Sequence, residues 1–361
     1  MVRTLLSSLQ RDLPDTSFFK NLKFPLSFFG TLSLPKKVNR TFIVPLTFFL
    51  SLIALVCFQG CQYVAAFTGA GFARPLPNPA SYVAGLNCKP VDLQVMSFNV
   101  MYGSTTIESL SKRFRDGKTT ANFLPWSKRI PEIQARIADY SPDLLGLQEM
   151  ESNADINAIA PLNQYSLVSY QLGGFQYGDA ALLFKSARFE LLDSGQFWLG
   201  PNPELPMSFG FQPVAMVRYV NWAMLRDKGS GFTFMFVNTH FDNNSKNKEP
   251  SAALFHGRIA RIAKDLPVIV TGDFNTTADT ERYQRITGGN DPLQELTNTY
   301  SLIRQPVSNG DLQPNRLIDH ILVGSPCKVE TGQWLVDTRP LKNGKPMSDH
   351  NLVFAKLNFS S

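Results

Sequence analysis

The run Pro267-Val268-Ile269-Val270-Thr271-Gly272-Asp273-Phe274-Asn275-Thr276 joins a buried-strand signature to two side chains that can do chemistry. Val268 to Val270 predicts a strand that breaks at Gly272 and presents Asp273 and Asn275. In extended chain, side chains two apart share a side, so the carboxylate and the carboxamide are expected in one pocket. An ionised carboxylate can take or orient a water proton, and an amide can hold a phosphoryl oxygen or the water. That pairing suits Mg2+-assisted attack of water on a phosphate. Asp and Asn are also ordinary turn residues, so other motifs must decide between a site and a turn.

Those motifs recur at the ends of other apolar runs. Val91 to Asn99 alternates, with Leu93, Val95 and Ser97 on one side, and ends in Asn99. Leu144, Leu145 and Leu147 predict a buried strand that delivers Gln148 and Glu149. A glutamate closing such a strand suits a hard cation, which takes carboxylate oxygens. Phe232 to Thr239 leads into His240, beside Asn238 and Asp242, and His240 is a candidate proton donor or phosphate ligand. Asp319 lies within the apolar segment Arg316 to Val323 and needs a partner. His350 in Ser348-Asp349-His350-Asn351 supplies one, which would fix the imidazole and favour its charged form, leaving Asp349 for metal or water.

The elements that must position these residues follow from periodicity. Trp126 to Tyr140 has helical spacing at Ile130, Ile133, Ile137 and Tyr140 and stops at Pro142-Asp143. Tyr177 to Phe184 predicts a strand opened by Gly178, with Phe189 to Leu199 as its hairpin partner. Gly200 to Pro213 is a Pro-rich loop. Val214 to Leu225 and Phe232 to Thr239 predict paired strands around the Asp227-Lys228-Gly229 turn. Ser251 to Lys264 predicts a helix with His256 as a hydrogen-bonded surface histidine. Thr277 to Thr287 predicts a short helix capped near Thr277 or Asp279, and Leu352 to Leu357 the last strand. Short strands alternating with turns and a few helices suit one α/β domain.

Charge divides the chain. Residues 1–73 carry seven Lys/Arg against two acids, a balance of +5, whereas the remainder carries 28 basic and 27 acidic residues, a balance of +1. The body therefore lacks the strongly basic surface on which tight duplex-DNA binding rests. Lys112, Arg113, Arg115 and Lys118 form a local charge run, read as a solvated loop or as a steering patch for an anionic substrate. The 17 residues Phe42 to Phe58 are apolar except for Pro45, Thr47 and Ser51, with Lys36, Lys37 and Arg40 ahead of them. This is the lower limit of a membrane span, and the charge asymmetry expects the rest of the chain to be exported. The sequence thus reads as a basic segment 1–41, an apolar anchor or signal 42–58, a Gly/Pro-rich linker 59–90 and a catalytic domain 91–361. Export would permit a disulfide between Cys88 and Cys327, which flank two strands.

In order, Asn99 in SFN, Glu149 in LQE, His240 in NTH, Asp273 and Asn275 in GDFN, Asp319 in RLIDH and Asp349-His350 in SDH resemble the motifs of the endonuclease/exonuclease/phosphatase family, which includes proteins like deoxyribonuclease I. The resemblance spans roughly residues 91–358, and Phe197-Trp198-Leu199-Gly200 with Arg218 and Trp222-Ala223 looks like a bacterial branch. It implies a four-layered α/β sandwich of two packed mixed sheets flanked by helices. It implies a Mg2+-dependent phosphodiesterase or phosphatase, with Mn2+ as a substitute. Asn99, Glu149 and Asp349 would hold the metal, and Asp273 and Asn275 would orient water and phosphate. His240 and His350 would contact the phosphoryl group, with Asp319 behind His350. Asn238, Arg218 and Asp179 are assigned to substrate contact, and Asn243 replaces a histidine frequent in this branch. The substrate is expected to be a nucleic acid, a phospholipid head group or a sugar phosphate, with membrane contact through the N-terminal segment and no protein partner. The competing reading is a non-catalytic binding module that kept the fold.

Overall fold

The computed structural model describes residues 88–101, 123–150, 152–169, 178–205, 208, 210–211, 217–288, 295–303 and 314–361. The basic leader, the apolar run 42–58, nearly all of the linker, Cys57, Cys61 and the charge run at 112–118 lie outside these residues, as do Tyr177 and much of the 200–216 loop. Among the described residues no helix is long and apolar enough to cross a membrane.

Two six-stranded mixed sheets are built from twelve strands. The first contains β1 (Val91–Asn99), β2 (Leu144–Met150), β3 (Tyr165–Val168), β4 (Gly178–Lys185), β11 (Lys328–Asp337) and β12 (Leu352–Ser360), in the order β11-β12-β1-β2-β4-β3. The second contains β5 (Phe189–Trp198), β6 (Tyr219–Asp227), β7 (Thr233–His240), β8 (Val268–Asp273), β9 (Thr297–Asn298) and β10 (Asp319–Gly324), in the order β5-β6-β7-β8-β10-β9. Each sheet holds one parallel pair at its centre, β1 with β2 and β7 with β8. The C-terminal ends of those pairs bring Asn99 beside Gln148 and His240 beside Asp273.

The inner faces interlock through Leu93, Val95, Leu144 and Leu182 from one sheet and Phe234, Phe236, Ile269 and Ile321 from the other. Helices α1 (Trp126–Tyr140) and α2 (Asn153–Ile159) cover the outer face of the first sheet, where Ile133, Ile137 and Ile156 meet Phe98, Leu145 and Leu147. Helices α3 (Ser245–Ala263) and α4 (Glu281–Thr287) cover the second, where Phe255, Ile259 and Ile286 meet Val237, Val268 and Val270. Central strands buried on both faces read as continuous apolar runs, which is why β2 and β8 look as they do. The result is the expected four-layered sandwich.

Several expectations need correction. The 189–199 segment does not pair with β4, whose two edges are already taken by β2 and β3; it crosses to the second sheet and pairs with β6. Gly272 does not end its strand. It sits inside β8 because a Cβ there would lie 2.7 Å from the Thr239 carbonyl oxygen. Asp319 opens β10 rather than lying within it, since Pro314–Arg316 forms a 3-10 turn. Helix α3 begins at Ser245, and α4 is capped by Thr280, whose side chain accepts from the Tyr283 N–H. His256 is buried against Gly288 instead of lying on the surface. Cys88 and Cys327 do form a disulfide, tying the chain just ahead of β1 to the turn after β10.

Candidate active site

The strand ends converge on Asp273. Its Oδ2 lies 3.3 Å from His240 Nε2 and 3.6 Å from His350 Nε2, and accepts a 3.0 Å hydrogen bond from Asn99 Nδ2. Asn99 also donates to Glu149 Oε1 at 3.3 Å. The other carboxylate oxygen, Oδ1, accepts the Asn275 backbone N–H at 2.8 Å. One oxygen of Asp273 is thereby held by its own turn and the other is turned toward the remaining site residues.

Each histidine is backed by an aspartate from the opposite sheet. His350, in the loop before β12, places Nδ1 2.7 Å from Asp319 Oδ2 on β10. His240, ending β7, places Nδ1 2.8 Å from Asp179 Oδ1 on β4. Both couples therefore span the sandwich. Arg218 pairs with the second oxygen of Asp179 and brings Nη1 to 2.9 Å from His240 Nδ1. The Asp179 Oδ1 also accepts the Glu149 backbone N–H at 3.1 Å.

These contacts set the charges. Burial works against an imidazolium at His350, but the hydrogen bond and charge of Asp319, with Asp273 and Asp349 nearby, raise its pKa to about 10. At His240, burial and Arg218 press the pKa down, and Asp179 with Asp273 overcome them and raise it. Burial likewise opposes ionisation of Asp179, yet Arg218 and His240 hold its carboxyl below the usual range. Glu149 is pushed the other way: burial, with Asp179 and Asp349 adding to it, raises its pKa against the pull of His240 and Asn99.

The backbone bends at the site. Glu149 has φ 60°, between the ladder positions where Gln148 faces Ala180 and Met150 faces Gly178. Met101, two residues beyond Asn99, has φ 56°, and Asn275 has φ 48°. Non-glycine residues in this region store about 1–3 kcal/mol each and persist where surrounding contacts hold them.

Nearly all of the sequence-predicted residues are brought together here. Asp349 is exposed at the mouth, within electrostatic reach of Glu149 and His350. Four residues are placed otherwise than expected. Asn238 is fully buried, its amide donating to the Leu147 and Ala181 carbonyls and accepting from Gln148 and Thr271, so it has no face left for substrate. Asp179 and Arg218 are buried behind His240, where both contact its ring. Asn275 lies beyond the end of β8 in a left-handed turn, so strand alternation does not place it; its Nδ2 donates to the Phe241 carbonyl.

Arg129 was not anticipated. From α1 its buried guanidinium donates to the carbonyls of Leu124, Val100, Met101 and Met347. It thereby clamps the chain after Asn99 to the chain before Ser348. The Ser348 hydroxyl adds a 2.7 Å bond to the Asn99 carbonyl. The available signal was a cation at position 129, inside the 126, 133, 137 stripe of a helix whose other members are apolar.

The sequence matches the Endonuclease/Exonuclease/phosphatase family over residues 96–350. The chain belongs to that family and has its hydrolase-type fold. Among solved structures, a family protein from Bacteroides vulgatus shares 26% identity, with a TM-score of 0.59, over 75% of this chain and 100% of that one. The human Nocturnin catalytic domain shares 20% identity and a TM-score of 0.54, over 75% of this chain and 97% of its own, a likeness of fold. Protein angel of Drosophila melanogaster is 23% identical over 211 residues, 55% of this chain and 56% of the fly protein, so the match spans little more than half of that relative.

Proposed function

We propose that this protein is a metal-dependent phosphoester hydrolase that directs water in line at phosphorus. The observation that carries the reading is the convergence of two histidine–aspartate couples on Asp273, with Glu149 and Asn99 alongside. His350 is held as an imidazolium, so it is poorly suited to take a proton and well suited to offset charge on a phosphoryl oxygen. That leaves Asp273 as the group that accepts the proton of the attacking water. The N–H of Asn275 fixes its Oδ1 and keeps Oδ2 aimed at the reacting centre.

The donor set fits a hard divalent cation. Glu149 Oε1 and Asp273 Oδ2 both accept from the Asn99 amide, so two buried carboxylates are gathered around one side chain. Glu149 is buried among further carboxylates, which is the environment a cation relieves. Glu149 and Asn99, with Asp349 assisting, would hold Mg2+, and Mn2+ would substitute. Bound there, a divalent ion would supply neutralisation of the charge that develops on oxygen.

The apolar run at 42–58 with its preceding cations supports an exported, membrane-tethered enzyme, and the Cys88–Cys327 disulfide suits an oxidising compartment. A catalytic domain of balanced charge favours a phospholipid head group or sugar phosphate over duplex DNA.

The test is hydrolysis of bis-p-nitrophenyl phosphate, plasmid DNA, phospholipid vesicles and sugar phosphates with Mg2+ and with chelator. Asp273→Asn keeps the size of the side chain and is expected to lower kcat by about a thousandfold. No turnover on any of these substrates would return the protein to the class of binding modules.

A further inference from the structure

One step below the site lies a second row of polar side chains. Ser97 precedes Asn99 by two residues, Asn238 precedes His240 by two, Thr271 precedes Asp273 by two, and Gln148 precedes Glu149 by one. All four are fully buried. Residues two apart on a strand share a face, so Ser97, Asn238 and Thr271 enter the same interface as the site residues they precede.

The row is joined across the sandwich. Gln148 Nε2, on the first sheet, donates to Asn238 Oδ1 on the second at 2.7 Å and lies 3.4 Å from Ser97 Oγ. Asn238 Nδ2 returns to the first sheet, donating to the Leu147 carbonyl at 2.9 Å and the Ala181 carbonyl at 2.8 Å. Thr271 Oγ1 stands 3.1 Å from the same Asn238 Oδ1. The sheets are so close here that a Cβ on Gly146 would lie 2.0 Å from Thr271 Oγ1.

We infer that Ser97, Gln148, Asn238 and Thr271 form a positioning layer that sets the spacing and register of the two sheets directly beneath the reacting groups. Deeper in the interface the contacts are apolar, through Val95, Leu144, Phe236 and Ile269. Apolar contact is non-directional and tolerates sliding. Hydrogen bonds between named atoms do not. The layer is also not the most stable filling of this space, because Gln148 Oε1 is buried with no partner among the described residues. An unpaired buried acceptor costs free energy that an apolar side chain would not. What the layer gives in return is a fixed relation between Asn99 and Glu149 on one sheet and His240 and Asp273 on the other.

The kinetic arm of the test rests on the proposed hydrolase activity; the spectroscopic arm does not. Gln148→Met removes the cross-sheet bond to Asn238, and Thr271→Val removes the hydroxyl that braces the same Asn238 oxygen from within its own sheet, each with little change in volume. Thr331→Val is the control, since Thr331 is equally buried and donates at 2.7 Å to the Thr299 carbonyl, on a strand that carries no site residue. In the full-length protein, Thr271→Val and Gln148→Met are expected to lower kcat on bis-p-nitrophenyl phosphate by about ten- to a hundredfold with little change in KM. Thr271→Ser, which keeps the hydroxyl, should restore most of it. Thr331→Val should lower Tm comparably and leave kcat unchanged. The chain has four histidines, so ring 15N–1H spectra resolve them. Both layer variants should shift the His240 ring signals, and Thr331→Val should not. Unmoved His240 signals, or a kcat loss in Thr331→Val equal to that in Thr271→Val, overturns the inference. Shifted rings in a protein that hydrolyses nothing would remove the hydrolase reading and leave the positioning layer standing.

Discussion

The two histidine–aspartate couples are built from the same parts, yet one is sealed and the other faces the cleft. Side chains of His240 and Asp179 are 3% and 2% exposed, with Arg218 closing the far side. His350 is 15% exposed, and its Asp319 partner 6%. In the sealed couple, charges alternate from Arg218 through Asp179 and His240 to Asp273, so each buried ion has an opposite neighbour. In the open couple the imidazolium answers to two carboxylates and to the cleft. The sealed couple is thus enclosed between the sheets, whereas the open couple meets solvent at their edge.

That difference is broken most sharply at Asp179. Asp179→Asn removes the buried carboxylate that Arg218 and His240 share, and is expected to cost about 4 kcal/mol of stability as well as activity. Urea unfolding measures it. Next comes Arg129→Met, which frees the loops on either side of the open couple by removing donors from buried carbonyls, at about 3 kcal/mol. Asp319→Asn should behave differently. His350 can lose its proton to the cleft, so stability should change by no more than about 1 kcal/mol, while kcat falls by about a hundredfold, as expected when a group that orients and charges an imidazole is neutralised. If Asp319→Asn destabilises as much as Asp179→Asn, the difference in exposure does not separate the two couples.

The sequence displays the open couple more readily than the sealed one, for a physical reason. Asp319 interrupts an apolar run, and an isolated acid there announces that it needs a partner; His350 was the available one. Asp179 sits at the start of a strand, where an acid needs no explanation, and its partner is 61 residues away on the other sheet. Periodicity tells which face a side chain takes but not which sheet its strand joins. This is why the 189–199 segment reads as a partner of β4 and Asn238 as a substrate contact beside His240. Strand ends were legible, because Asn99, Glu149, His240 and Asp273 each close an apolar segment. The clamp at Arg129 and the polar row beneath the site were not, since both act through backbone carbonyls or between residues distant in the chain.

A third histidine isolates what the couples contribute. His320 is as buried as His240 but, among the described residues, its ring nitrogens meet an amide and a carbonyl: Nε2 lies 3.0 Å from the Thr276 carbonyl and Nδ1 3.3 Å from Asn298 Nδ2. That arrangement suits a neutral ring donating through Nε2. Burial, only partly offset by the Thr276 carbonyl and Asp273, lowers its pKa to about 4. Burial alone thus discharges an imidazole here, and the raised pKa of His350 is due to its carboxylates. The sign of the consequence is definite. Below its ordinary pKa of about 6.5 the unfolded chain binds a proton at this residue that the folded chain refuses until about pH 4, so stability falls as pH drops through that window. The full loss is about 3 kcal/mol, and none of it is felt at neutral pH. His320→Gln, which keeps a donor for the Thr276 carbonyl, should flatten this part of the acid limb relative to wild type when urea unfolding is compared at pH 7 and pH 4.5. Equal slopes in the two proteins would mean that something other than these ring contacts separates His320 from the paired histidines.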